Sequence, residues 1–423
     1  MKNKKIAPFL KLSFGNILEW YDFSLYIYFA SSIALTFFPS QNHYIGMLLA
    51  FFTFFLGFVA RPLGGLLMGW VGDRYGRKYS VNLCVILMGI TTFLVAFIPT
   101  YEQIGILAPA LLVAFRIAQG ISVGGQFPGL LSLSVDDYKK TKGFTIGMVY
   151  SISSLGFLCA SLVSFLASLV FQTQSQLIWR IPFALSGILF VIFLYMNRYQ
   201  IKAGAQSVEV KKKKNVLRSL MLQWRSIVAV VALTTMAASL YFLVFTYIVN
   251  YQIEYLSVSS ESAYLVNTFA LVLACLVYPI FGMVADRVGY LKLFVIAMSL
   301  LLILTMPLMW LIQTKVMINA LIALYAFTLL MAATQGAISP LFASVFNKDW
   351  RTTGCAFSYS IGNGIAGAAP LIAEILSHYD PLYGMSIFIL VLLVIGVIGM
   401  YMIYLIKPEI LVSPIKAANV QVV

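Results

Sequence analysis

The segment GNILEWYDF, Gly15 to Phe23, places Glu19 and Asp22 three residues apart inside a long apolar run. On a helix that spacing puts both carboxylates on one face. Two arginines sit in similar company, Arg61 in FFLGFVARPLGGLL and Arg116 in LLVAFRIAQGIS. Charge surrounded by hydrocarbon is costly, so these four groups are expected to meet one another, water or a ligand, and such groups commonly mark substrate or proton pathways. A carboxylate gives up its proton more readily beside a guanidinium and holds it more readily once that partner leaves, so exchange of partners can load and unload a proton. Asp22 is the favoured proton-coupling residue and Glu19 the second. Arg116 has the planar fork that pairs bidentately with a carboxylate. A fixed structural salt-bridge network is the alternative for all four.

The elements that carry these residues follow from composition. Only 10% of the chain is charged and 61% is hydrophobic, against about 25% charged in a soluble domain. A bilayer core of ~30 Å needs about 20 apolar residues per helix. Twelve such runs can be counted, six between residues 12 and 197 and six between 226 and 406. The expected fold is an all-α membrane protein of twelve transmembrane helices in two six-helix pseudo-repeats. The expected domains are an N-terminal half at 1–197, a central loop at 198–225, a C-terminal half at 226–407 and a tail at 408–423. At ~1.5 Å per residue, Asp22 lies about 16 Å, Glu19 about 12 Å and Arg61 about 18 Å from the nearest basic loop, close to the midplane.

The formal charge of +14 could suggest a nucleic-acid partner. Its distribution argues otherwise. If the MKNKK end is inside, 24 of the 28 Lys and Arg residues fall on one side of the membrane, with Arg180 and Lys315 opposite and Arg61 and Arg116 within spans. That is the positive-inside pattern, so both termini are expected in the cytoplasm and the chain is expected to be integral to a membrane, the inner membrane of a bacterium. Four cysteines and two histidines are scattered without metal-ligand spacing, so no metal and no cofactor is expected. The first run carries acids and lacks a small-residue cleavage site, which reads as a retained helix. No Gly-x-x-x-x-Gly-Lys-Ser/Thr loop is present to couple ATP, and no Ser/His/Asp constellation supports an enzyme.

The halves repeat a loop. GWVGDRYGRK begins at Gly69 and GMVADRVGYLK at Gly282, so Asp73, Arg74 and Gly76 recur as Asp286, Arg287 and Gly289. An acid in a tight turn can accept hydrogen bonds from the unpaired N–H groups of a neighbouring helix start.

GNILEWYDF, ARPLGGLLMGWVGDRYGRK, RIAQGISVGGQ and WRIPF together resemble the metabolite:proton symporters of the major facilitator superfamily, most densely over residues 13–183. The resemblance implies transport by alternating access of a small carboxylate or zwitterion, of proline/betaine, citrate, oxoglutarate or shikimate type, with protons. It implies a gate between the halves built on Asp73, Arg74, Gly76 and Arg77, with a degenerate copy at Asp286 and Arg287. It makes Arg116 and Gln119 the polar members of the fourth-helix motif. The family's acid after the double glycine is Gln126 here, which weakens any proton role at that position. Further polar groups within spans are candidate substrate contacts: Tyr26, Tyr150, Tyr247, Asn250, Gln335 and Asn363, with Arg61 beside them. Glu374 counts out to the membrane boundary and is expected to be an interface residue. The expected protein is a monomeric importer. An exporter or exchanger of the same fold without proton symport, or a non-transporting sensor, are the alternatives.

Overall fold

The structure, a computed structural model, describes residues 15–413 except 76, 125–126, 128–130, 132–133, 136–137, 139, 172–176, 203–221, 348–350 and 382. It does not describe the side chains at 66, 69–70, 72–75, 77–82, 177, 189, 193, 196–202 and 352. Among the described residues the regular structure is entirely helical.

Among the described residues the helices group into twelve spans, with two short helical pieces outside them at Tyr101–Ile104 and Pro408–Leu411. The spans are α1 (Gly15–Tyr28 and Ala30–Phe37), α2 (His43–Val59 and Arg61–Tyr75), α3 (Arg77–Val95), α4 (Leu107–Val123), α5 (Lys142–Val170) and α6 (Leu177–Lys202) in the first half. The second half holds α7 (Trp224–Phe242, Leu243–Tyr247 and Ile248–Glu254), α8 (Ser260–Val288), α9 (Tyr290–Gln313), α10 (Met317–Ser344), α11 (Arg351–Ala366 and Ala369–Tyr379) and α12 (Gly384–Ile406). Spans α2, α5, α7, α8, α9, α10 and α12 each hold a helix long and apolar enough to cross a membrane by length and composition. The others fall short for visible reasons. α1 is interrupted at Phe29 and α11 at Gly367 and Ala368, while α3, α4 and α6 have shorter apolar stretches.

Within the first half α1 packs on α5 and α6, and α4 on α2 and α3; within the second α7 packs on α11 and α12, and α10 on α8 and α9. The seam between the halves is made chiefly by α5 against α8, with α2 against α11 and α1 against α7. Small residues permit the first of these approaches. A Cβ on Gly282 would lie 2.2 Å from the Gly143 carbonyl oxygen, and one on Gly143 would lie 2.4 Å from that of Gly282, so no larger residue fits either position without moving a helix.

The breaks position polar contacts across the seam. The middle of α7, Leu243–Tyr247, is a π-helical turn, an insertion often found at functional sites. The Phe245 carbonyl in that turn accepts a hydrogen bond from Tyr28 Oη at 2.7 Å. Beside the break in α1, the carbonyls of Ile27 and Tyr28 accept from Asn250 Nδ2 (2.6 Å) and Tyr264 Oη (3.0 Å). Carbonyls released from a helix ladder inside hydrocarbon must find such donors.

Candidate functional site

The buried charges of the first half form two ion pairs. Arg116, fully buried on α4, donates from Nη1 to Asp22 Oδ2 at 2.7 Å and from Nη2 to Asp22 Oδ1 at 3.2 Å. Gln119, one helical turn on, donates to the same Asp22 Oδ1 at 3.0 Å and to Thr92 Oγ1 at 3.0 Å. The second pair is looser. Arg61 Nη2 lies 3.4 Å from Glu19 Oε1, and neither Glu19 oxygen accepts a hydrogen bond. Instead Arg61 rests among rings, its Cζ 3.9 Å from the Phe58 centroid, 4.7 Å from Phe23 and 5.8 Å from Trp20. Tyr26 belongs to the Arg116 cluster, with its ring 4.4 Å from Arg116 Cζ and its hydroxyl donating to the Ala50 carbonyl.

Between the halves lies a partly open cavity with about 430 Å³ of space not filled by atoms, adjoining solvent included. Its wall is largely aromatic. Trp20 of α1, Tyr150 and Phe157 of α5, Tyr241 and Phe242 of α7 and Tyr359 of α11 face it, with Ser153, Thr234, Gln335 and Asn363 as neutral polar members. No charged side chain lines it among the described residues. Arg116, expected against a substrate carboxylate, has both terminal nitrogens on Asp22 in this structure and is not among the residues that line the cavity.

The other expected site residues divide. Tyr150, Gln335 and Asn363 line the cavity, and Ser339 ties the first two together by donating to Tyr150 Oη (3.2 Å) and Gln335 Oε1 (3.3 Å). Asn250 serves the seam, and Tyr247 donates to Glu374 Oε2 at 3.0 Å. Glu374 also accepts from Tyr255 Oη at 2.9 Å, just past the end of α7, and is buried within the protein there. Trp20, Thr234, Tyr241 and Tyr359 were missed because aromatic and hydroxyl residues in an apolar run carry no mark of the face they occupy.

Both sides of the cavity are bridged between the halves. On the side bearing the basic loops, Asp286 of α8 accepts from the backbone N–H groups of Gly143 (2.9 Å) and Phe144 (3.0 Å) at the start of α5, and from Tyr290 Oη (2.9 Å). A carboxylate of one half thus caps a helix of the other. Gly289, three residues on, has φ of 108°, which a side chain would strain. Arg287 is exposed. In the first copy of the loop Asp73, Arg74 and Arg77 are helical but their side chains, like Gly76 and Gln126 altogether, lie outside the described residues. On the opposite side His43 lies 3.5 Å from Glu254, and Tyr44 stacks on His378 with centroids 3.7 Å apart.

A comparison with known families decides what this architecture is. The model of the Major Facilitator Superfamily matches residues 12–370. The chain belongs to that superfamily. It is therefore a secondary active transporter working by alternating access, and not an enzyme. Among its relatives are a glycine betaine/proline/ectoine/pipecolic acid transporter of Dickeya dadantii, 30% identical over 408 residues covering 92% of this chain and 81% of that protein. Another is a citrate-proton symporter of Klebsiella pneumoniae, 27% identical over 396 residues covering 90% and 89%. A solved D-xylose-proton symporter superposes with a TM-score of 0.72 at 19% identity, covering 96% of this chain and 98% of its own. That likeness concerns the fold of this superfamily member.

Proposed function

We propose that this transporter imports a small zwitterion of proline or betaine type together with protons, holding it in the cavity between the halves. One observation carries the substrate class: the cavity wall is neutral and aromatic, and both buried guanidinium groups nearby are already paired with acids. A di- or tricarboxylate would bring uncompensated charge into that space, at a cost of several kcal/mol. A zwitterion brings none, and its ammonium gains from the ring faces.

Asp22 and Arg116 make the proton switch. Protonation of Asp22 releases Arg116 and Gln119, and deprotonation on the other side of the membrane remakes the bidentate pair, so α1 and α4 alternate between two arrangements with the proton. Asp286 is the gate on the basic side, taken to be cytoplasmic together with both termini. Asp73, Arg74, Gly76 and Arg77 supply its counterpart. The protein works as a monomer in the inner membrane of a bacterium.

The test is uptake into proteoliposomes. An inward proton gradient is expected to drive accumulation of proline or glycine betaine and not of citrate. Asp22→Asn is expected to abolish accumulation and to spare exchange of labelled for unlabelled substrate. Accumulation that ignores the proton gradient overturns the coupling; uptake of citrate alone overturns the substrate class.

A further inference from the structure

Three polar atoms in residues of the cavity wall have no hydrogen-bond partner although each is buried: Nε1 of Trp20, Oγ1 of Thr234 and Oδ1 of Asn363. A buried donor or acceptor left unpaired keeps the full penalty of its lost hydration. Local habit does not explain them. Thr246, Thr305, Thr328 and Thr334 all turn their hydroxyls onto the carbonyl four residues back, and Thr234 does not. Asn363 spends its Nδ2 on the Tyr359 carbonyl at 3.1 Å, which fixes the amide orientation and leaves Oδ1 as an acceptor. The indole N–H is a donor only.

The unpaired set therefore consists of two donors, an indole N–H and a hydroxyl, and one acceptor, on residues that line a neutral aromatic space. We propose that Trp20, Thr234 and Asn363 are the substrate's polar contacts: Trp20 Nε1 and Thr234 Oγ1 donate to its carboxylate, and Asn363 Oδ1 accepts from an N–H on its ammonium. This deepens the zwitterion reading above and rests on it. Two consequences distinguish it. The carboxylate is held by neutral donors and not by arginine. The preferred substrate keeps a hydrogen on its nitrogen, as a secondary amino acid does and a fully methylated betaine does not. Because Trp20 lies on α1 while Thr234 and Asn363 lie on α7 and α11, one ligand touches both halves and draws them together as it binds.

Calorimetric titration of the purified full-length protein with L-proline, N,N-dimethyl-L-proline and citrate tests this. Wild-type protein is expected to bind L-proline at least fivefold more tightly than the dimethyl compound. Trp20→Phe, which keeps the ring and loses the donor, and Thr234→Val are each expected to weaken L-proline binding about tenfold. Thr234→Ser, which restores a hydroxyl, is expected to recover most of the loss. Equal binding of the two proline compounds overturns the role of Asn363. Unchanged affinity in Trp20→Phe and Thr234→Val, with proline still bound, overturns the donor assignment and leaves the zwitterion reading standing. Binding of citrate alone overturns the zwitterion reading itself.

Discussion

Asp22 with Arg116 and Glu19 with Arg61 are built from the same chemistry, one turn apart on α1, yet only the first is a completed interaction. Asp22 accepts three hydrogen bonds, at 2.7, 3.2 and 3.0 Å. Glu19 accepts none, and its arginine stands 3.4 Å away among the rings of Phe58, Phe23 and Trp20. The difference comes from the helices opposite. α4 brings Arg116 and Gln119 to Asp22 on successive turns, whereas Arg61 opens the second segment of α2, where aromatic neighbours occupy the space that further donors would need. The lesson is that a buried carboxylate whose oxygens are satisfied in one state gives its release a defined cost, which a bare contact like that of Glu19 does not.

The largest effect is expected from Arg116→Ala. It leaves the Asp22 charge buried with Gln119 alone, and removal of one partner of a buried pair costs about 3–5 kcal/mol. Thermal unfolding in detergent should show a clear drop in Tm, and the double variant Asp22→Asn/Arg116→Ala should regain part of it by removing the abandoned charge. A Tm unchanged in the single variant would mean that the pair is not closed in solution.

Gln119→Leu comes next. It removes one of the three bonds to Asp22 and the bond to Thr92, and should cost about 1–3 kcal/mol while the Arg116 fork survives. Thermal unfolding in detergent should show a drop in Tm smaller than that of Arg116→Ala. An unchanged Tm would argue that the Arg116 fork alone holds Asp22.

How much of this was legible beforehand depended on the kind of signal. Charged residues inside apolar runs announce themselves, so Glu19, Asp22, Arg61 and Arg116 could be named, and the repeat of GDR in the first loop by ADR in the second pointed to an acid on a helix start. The twelve runs were countable because charge is rare enough to punctuate them. Pairing was not legible, because register between helices is set by tertiary packing: nothing in the spacing says that Arg116 turns to Asp22 and not to the cavity. Trp20, Thr234 and Asn363 stand out only once a cavity exists for them to line and other threonines are seen to be satisfied.

The smallest effect on stability is expected where the looser pair is neutralised. In Glu19→Gln no hydrogen bond to the carboxylate is lost, because none is made, and the ion pair at 3.4 Å is replaced by an amide in the same shape. Arg61 loses its counter-charge but keeps three aromatic faces, each worth about 0.5–2 kcal/mol to a buried cation. The losses and the relief of burying a charged carboxylate nearly offset, so Tm should move by much less than in Arg116→Ala. Transport then separates the two pairs. If Asp22 alone carries the coupled proton, Glu19→Gln accumulates substrate on a proton gradient as wild type does, while Asp22→Asn does not. If accumulation fails in Glu19→Gln with the fold intact, the unsatisfied acid is the carrier, and the completed pair at Asp22 is a structural clasp between α1 and α4.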